Sequence, residues 1–365
     1  MLKAVALNPS AVSRVMIRAT NWLGDAVMSL PALRAIRHAF PKARLCVVSR
    51  PWVADLYARE TSIDKVIRYE GRGARALREF AVKLRAERFD CAILLQNAFE
   101  AALMAWTANI PIRIGYNRDG RGWLLTGPVA VPEPGDIPRH ERFYYLELLR
   151  RAGLIQGHEY AQRGIAEIRL EGADQAAAAG ARRISRLGLG DVVGISPGAA
   201  YGNAKRWLPE RFAEAGADIC REIGAEALVF GSPSEKDLCA QVAAGIGTKG
   251  LEVRNLAGET SLGEFIELAA GCRLFLTNDS GAMHIASALG VPTVTIFGAT
   301  DDTTTGPAGP LARVVREHAE CSPCLLRQCP IDHRCMTRVS VDRVAAAALD
   351  LWKESAAHWT HEAKS

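Results

Sequence analysis

Short apolar runs alternate with helix-length stretches along almost the whole chain, and this alternation constrains the fold more than any other feature. RVMIRAT (14–20), RLCVVSR (44–50), KVIRYE (65–70), FDCAILLQN (89–97) and IPIRIGY (110–116) read as strands. Helices are expected between or after them at 25–39, 73–87, 99–107 and 140–152, the last following the loop EPGDIPRH. The second half repeats the plan. Strands are expected in DVVGISPGA (191–199), GAEALVFGS (224–232), LEVRNLAGE (251–259), RLFLT (273–277) and VPTVTIFGA (291–299), with helices at 209–223, 234–245 and 261–271. Such alternation specifies βαβ units and parallel sheets.

A chain of 365 residues suits two domains, each able to bury its own core. The expected division is 1–175, 176–340 and a C-terminal helix and tail at 341–365. The halves join near 155–190, where AEIRL is extended and ADQAAAAGARRIS is an Ala-rich helix. The last helix, 340–354, is amphipathic through Val341, Val344, Ala348 and Leu351.

Hydrophobic residues make up 49%, which argues against disorder, and the formal charge of +5 is too small to argue for nucleic acid. A mildly basic chain suits an anionic ligand or an anionic membrane surface. The first twenty residues, broken by Asn8, Pro9, Arg14 and Arg18, do not read as a secretory signal. A cytoplasmic location is expected, with no transmembrane helix.

Rossmann-like sheets take ligands at the carboxyl ends of their strands, so the strand-to-helix turns hold the candidates. In TNWLGDAVMSLP, Gly24 permits a tight approach and Asp25 opens the helix. Asp25 reads equally as an N-cap or as a carboxylate presented to a ligand. GISPG matches the G-x-S-x-G nucleophile elbow in letters, yet Pro197 follows the serine and has no N–H for an oxyanion hole, which argues against a hydrolase. The same loop brings Lys205 and Arg206 towards a helix start, which suits phosphate. Glu235, in the first turn after VFGS, can meet ribose hydroxyls or simply complement the helix dipole. In TNDSGAMHIASALGVP the turn NDSG joins strand to helix, with Asp279 or Ser280 as cap and His284 one turn on. No G-x-G-x-x-G follows the first strand, which argues against a nicotinamide-dependent oxidoreductase.

Five of the nine cysteines (Cys46, Cys91, Cys220, Cys239, Cys272) fall in apolar segments as small core residues. The other four form CSPCLLRQCPIDHRC. Cys321, Cys324, Cys329 and Cys335 are spaced C-x2-C-x4-C-x5-C, unlike a standard zinc ribbon. Reduced or redox-sensitive thiols are the expectation, a structural metal the weaker reading, and no catalytic metal is implied. The helix over 72–89 sets Leu77, Phe80, Ala81 and Leu84 on one face with Arg75, Arg78 and Arg85 around it, either a solvated face or one that touches anionic lipid.

Taken together, NWLGDAVMSLPALRAIR, LLQNAF, GISPGAAYGNAKRW, LVFGSPSEKD, NLAGET and TNDSGAMHIASALGVP resemble the bacterial lipopolysaccharide heptosyltransferases, glycosyltransferase family 9, and most of all their type II members. The resemblance implies an α/β GT-B fold, two Rossmann-like domains with parallel sheets facing across a cleft. The N-terminal domain would bind the acceptor, a heptose on Kdo-lipid A at the membrane surface, and the C-terminal domain the donor ADP-heptose. Asp25 would be the catalytic base. Lys205, Glu235, Asp279, Ser280, Gly281 and His284 would hold the donor, with Gly24 and Asn97 on the acceptor side. No cofactor or metal is implied, nor any nucleic-acid partner. The expected place is the cytoplasm, in peripheral contact with the inner membrane.

Overall fold

The computed structural model describes residues 8–157, 164–309 and 311–362. The outer ends of the expected domains and part of the expected linker, residues 158–163, lie outside the described residues. The chain divides into two units, Met1–Glu171 and Gly172–Ser365.

The first unit runs β1 (Arg14–Arg18), α1 (Leu23–Met28), α2 (Leu30–Ala39), β2 (Arg44–Ser49), α3 (Pro51–Tyr57), β3 (Lys65–Arg68), α4 (Gly73–Ala86), β4 (Cys91–Leu94), α5 (Phe99–Thr107), β5 (Ile112–Tyr116), β6 (Gly127–Val129) and α6 (Arg142–Arg151). Its six strands are all parallel, in the order β3-β2-β1-β4-β5-β6. The central strand β1 buries Val15, Met16 and Ile17 completely, as a strand covered by helices on both faces must. Each such side chain contributes about 1.5–3 kcal/mol relative to exposure.

The second unit runs α7 (Ala173–Arg186), β7 (Val192–Ser196), α8 (Pro209–Ile223), β8 (Glu226–Val229), α9 (Lys236–Gly247), β9 (Val253–Asn255), α10 (Leu262–Ala270), β10 (Leu274–Asn278), α11 (Gly281–Ala288), β11 (Thr293–Ile296), α12 (Asp302–Thr305), β12 (Ala312–Val315), α13 (Arg334–Thr337) and α14 (Val341–Glu362). Its sheet, β12-β11-β10-β7-β8-β9, is also wholly parallel and follows the same winding as the first. In each unit the first and fourth strands lie side by side in the middle. The chain order reverses between them, and there a doubly wound sheet opens a crevice at its carboxyl edge. The expected α/β class with two Rossmann-like halves is what the chain forms.

Three local departures from the sequence reading have physical causes. The helix expected over 25–39 is two helices, because Pro31 has no N–H to continue the ladder; the Ser29 hydroxyl donates to Ala26 O at 2.8 Å at the break. The strand in VPTVTIFGA is followed by a further parallel edge strand, β12, in a Pro- and Gly-rich surrounding. AEIRL forms no strand. The terminal helix α14 belongs to the second unit, where Val344, Ala348 and Leu351 are fully buried in the core around Trp207 and Phe212. Gly180 explains the Ala-rich α7: a Cβ there would lie 2.0 Å from Glu267 O, so only glycine lets α7 close on α10. The five scattered cysteines are all buried. Burial pushes the Cys91, Cys220 and Cys239 thiols up to about 12, so they are inert at neutral pH. Among the described residues no helix is long and apolar enough to cross a membrane.

Candidate active site

The expected residues gather at the two central crevices, one in each unit. In the second unit, β10 ends at Asn278 and α11 begins at Gly281, with Ser280 at the N-cap position. The serine does not cap. Its hydroxyl lies 3.2 Å from Thr277 Oγ1, and it makes no capping hydrogen bond to the first turn of α11. The first-turn N–H groups lie at the positive end of the helix, a position that suits an anion. His284 is buried one turn along α11, its backbone N–H directed at Ser280 O at 3.5 Å.

Lys205 comes from the loop after β7, in a short 3-10 turn before α8 and not at the helix start itself. Its Nζ stands 2.6 Å from Asp279 Oδ2, which also accepts from Thr300 Oγ1 at 2.5 Å. The ammonium sits 5.0 Å from the Tyr201 ring centroid. The loop is pinned by Asn278, which the sequence reading passed over. Asn278 Oδ1 accepts from the backbone N–H of Trp207 at 3.0 Å, and Nδ2 donates to Pro197 O at 2.7 Å. One buried amide thus ties both ends of the lysine loop to β10.

Glu235 is 8% exposed and committed to its own turn: its Oε2 accepts from Ser232 N at 2.9 Å and from Ser232 Oγ at 2.8 Å. Its other oxygen lies 3.8 Å from Arg206 and beneath Gly198, where any Cβ would fall 2.2 Å from it. Glu235 thus closes a capping box with Ser232, a role the sequence reading did not name, and its Oε1 side borders the lysine loop.

The cysteine-rich segment packs against the same loop. Arg327 O accepts from Ala204 N at 3.1 Å, Leu325 O from Tyr201 OH at 2.9 Å, and the His333 ring lies 3.0 Å from Ala204 O. Gly202 is required there, since a Cβ would meet Arg327 O at 2.1 Å. Cys321, Cys324, Cys329 and Cys335 are free thiols. Among the described residues no group of three or more His, Cys, Asp or Glu side chains is arranged to hold a metal ion.

In the first unit, Gly24 and Asp25 lie in the first turn of α1, at the carboxyl end of β1. Beneath this turn is Arg18, 1% exposed, which the sequence reading treated as plain strand. It donates to Ala19 O at 2.7 Å and to Asn21 Oδ1 at 3.1 Å, and so shapes the turn from below. Burial, with the neighbouring Arg50, lowers its guanidinium to about 10, still charged at neutral pH. An arginine ending an apolar strand was the available signal. Trp52 Nε1 closes the turn from above on Asn21 O at 2.8 Å.

Asn97 follows β4 and is held at both ends of its amide. Its Nδ2 donates to Tyr144 OH at 3.0 Å, and its Oδ1 accepts from Arg121 Nη2 at 3.0 Å. Tyr144 OH also accepts from Arg118 at 3.4 Å, and Tyr144 O accepts from Tyr116 OH at 2.8 Å. One turn earlier on this helix, Glu141 faces Asp25. Burial first, and then the Asp25 charge, push its carboxyl up to about 7, against the pull of Arg118. Sequence spacing gave no hint of Glu141, because the partner lies more than a hundred residues away.

Two doubly wound parallel sheets, one with a lysine and an uncapped helix end for an anion and the other with a carboxylate at its crevice, make up a glycosyltransferase of the GT-B class. A family model, glycosyltransferase family 9 (heptosyltransferase), matches residues 77–334. The chain belongs to that family. It is 29% identical to lipopolysaccharide heptosyltransferase 2 of Escherichia coli K12, over 83% of this chain and 88% of that one. It is 26% identical to lipooligosaccharide heptosyltransferase 2 of Campylobacter jejuni, over 94% and 99% of the two chains. Among solved structures, the E. coli ADP-heptose lps heptosyltransferase II superposes with a TM-score of 0.81 at 26% identity, covering 94% of this chain and 99% of that one.

Proposed function

We propose that this glycosyltransferase moves heptose from ADP-heptose to the inner-core heptose of lipopolysaccharide on a Kdo-lipid A acceptor. Transfer inverts the anomeric carbon and uses no divalent ion. The observation that carries this reading is Lys205 paired to Asp279 beside the uncapped start of α11, in a chain whose relatives are lipopolysaccharide and lipooligosaccharide heptosyltransferases. The donor's diphosphate would lie on Lys205 and the N–H groups of Ser280 and Gly281, with His284 on the same side and Glu235 towards the ribose.

In the reaction, Asp25 takes the proton of the acceptor hydroxyl as that oxygen forms its bond to the anomeric carbon. The bond from that carbon to the β-phosphate oxygen breaks, and its electron pair leaves with ADP from the opposite face. General-base help of this kind is worth about 10²–10⁴-fold. Fixed donors at the departing diphosphate act where charge develops, which is where they stabilise most. No cofactor takes part. A lipid-anchored acceptor places the enzyme in peripheral contact with the cytoplasmic face of the inner membrane.

The test is the mass of the product formed from ADP-heptose with defined core acceptors, with and without the first heptose. One added heptose on the acceptor that already carries a heptose supports the reading. Addition only to the heptose-free acceptor, or to neither, overturns it in favour of another family 9 specificity.

A further inference from the structure

Three aromatic rings stand together in solvent on the first unit. Phe99, Leu103 and Trp106 are spaced four and three apart on α5 and form one stripe. Ala101, Ala102, Met104 and Ala105 fill the core-facing side of the same helix. Trp123, from the loop between β5 and β6, sits between the two rings, 6.4 Å from Phe99 and 6.3 Å from Trp106 by ring centroids. The three are 40%, 48% and 69% exposed, too open for a core role and too close together to be scattered surface residues.

The charge beside the stripe has one sign in excess. The neighbouring helix α4 turns Arg75, Arg78, Lys83 and Arg85 to solvent, with Val82 among them. Its one carboxylate, Glu79, is paired with Arg75 at 2.9 Å. The Arg85 guanidinium donates twice to Thr107 O, at 3.0 and 2.6 Å, which fastens the basic helix to the residue after Trp106. At the other end, Arg118 and Asp119 of the Trp123 loop offset each other at 3.5 Å, and Glu100 is engaged with Arg50 at 3.5 Å.

We propose that this α4–α5 face, with Trp106, Trp123 and Phe99 at headgroup depth and Arg78, Lys83 and Arg85 on the phosphates, docks the protein on an anionic lipid bilayer. Indole rings favour the membrane–water boundary, and basic side chains beside them gain from anionic lipid. A second copy fits less well, because two such faces would bring like charges together. The stripe begins two residues after Asn97, at the carboxyl edge of the sheet that carries Asp25. A saccharide rising from the bilayer would meet that edge. Only this last point rests on the proposed acceptor.

The test uses the full chain with vesicles of mixed phosphatidylethanolamine and phosphatidylglycerol, and with vesicles of phosphatidylcholine alone, read by co-sedimentation. Binding is expected to the anionic vesicles and to weaken with salt. Trp106→Ala with Trp123→Ala should lower partitioning about tenfold, and Arg78→Gln with Lys83→Gln and Arg85→Gln should remove the salt-dependent part. Trp123→Ser alone, at the most exposed ring, serves if the double variant does not fold. Equal binding by wild type and the tryptophan variants overturns the proposal. So does a lipid-free dimer that the tryptophan variants break. Transfer to a delipidated, soluble acceptor is measured alongside. Transfer without vesicle binding removes the docking face alone, and vesicle binding without transfer removes the enzymatic reading alone.

Discussion

Lys205 Nζ lies 2.6 Å from Asp279 Oδ2, and both side chains are largely out of water, 13% and 5% exposed. Breaking one side of such a pair leaves a buried charge alone, which costs about 3–5 kcal/mol. Lys205→Ala should therefore lose both stability and transfer. Removing one donor to a developing oxyanion costs about 10²–10³-fold in turnover. The double variant Lys205→Ala with Asp279→Asn should regain most of the stability and none of the turnover. Thermal unfolding and steady-state rates, read side by side, check this. Recovery of both together would make the pair purely structural.

The Glu141 carboxyl stands near 7 in the folded chain against 4.5 for a free glutamate. The native state then binds more protons than the unfolded one between those values. Glu141 therefore favours folding below about pH 4.5, and that contribution is lost as pH rises to 7. The full shift corresponds to about 3 kcal/mol. Asp64 and Glu171, held low by backbone and side-chain hydrogen bonds and nearby arginines against the cost of burial, act with the opposite sign and are lost on acidification. Glu141→Gln should thus stabilise the protein at pH 8 and change little at pH 5. Denaturant unfolding at both pH values measures it; an equal change at both would show that Glu141 does not titrate in this range.

Gly180 admits no side chain against Glu267 O. Gly180→Val should destabilise by about 1–3 kcal/mol by forcing α7 off α10, and leave the Michaelis constants of the remaining folded enzyme unchanged. Urea midpoints and kinetics on the same preparation decide it.

The two sheets were legible because central parallel strands are nearly continuous apolar runs and their helices follow at regular spacing. β12 was not, since an edge strand needs fewer apolar residues and ARVV lies in a Gly-Pro loop. That Asp25, Lys205 and Asp279 follow the carboxyl ends of strands was readable from their turns, because the carboxyl edge of a parallel strand has a sequence signature. Arg18, Asn278 and Glu141 were not. Asn278 and Glu141 meet groups that distant parts of the chain supply, and only the strand order brings Trp207 to Asn278 or Glu141 to Asp25, whereas Arg18 serves its own adjacent turn and its signal was an arginine ending an apolar strand. Glu235 shows the reverse limit: its spacing allowed a carboxylate for the helix dipole or for ribose hydroxyls, and the structure adds a capping box with Ser232 while leaving one oxygen beside the lysine loop.

The most direct test of the account is Asp25→Asn, with transfer from ADP-heptose followed by mass and ADP binding followed by calorimetry. Transfer should fall about 10²–10⁴-fold while ADP binds as in the wild type, because in the proposed reaction Asp25 takes the acceptor proton and the residues proposed to hold ADP are untouched. Turnover at the wild-type rate would contradict the account.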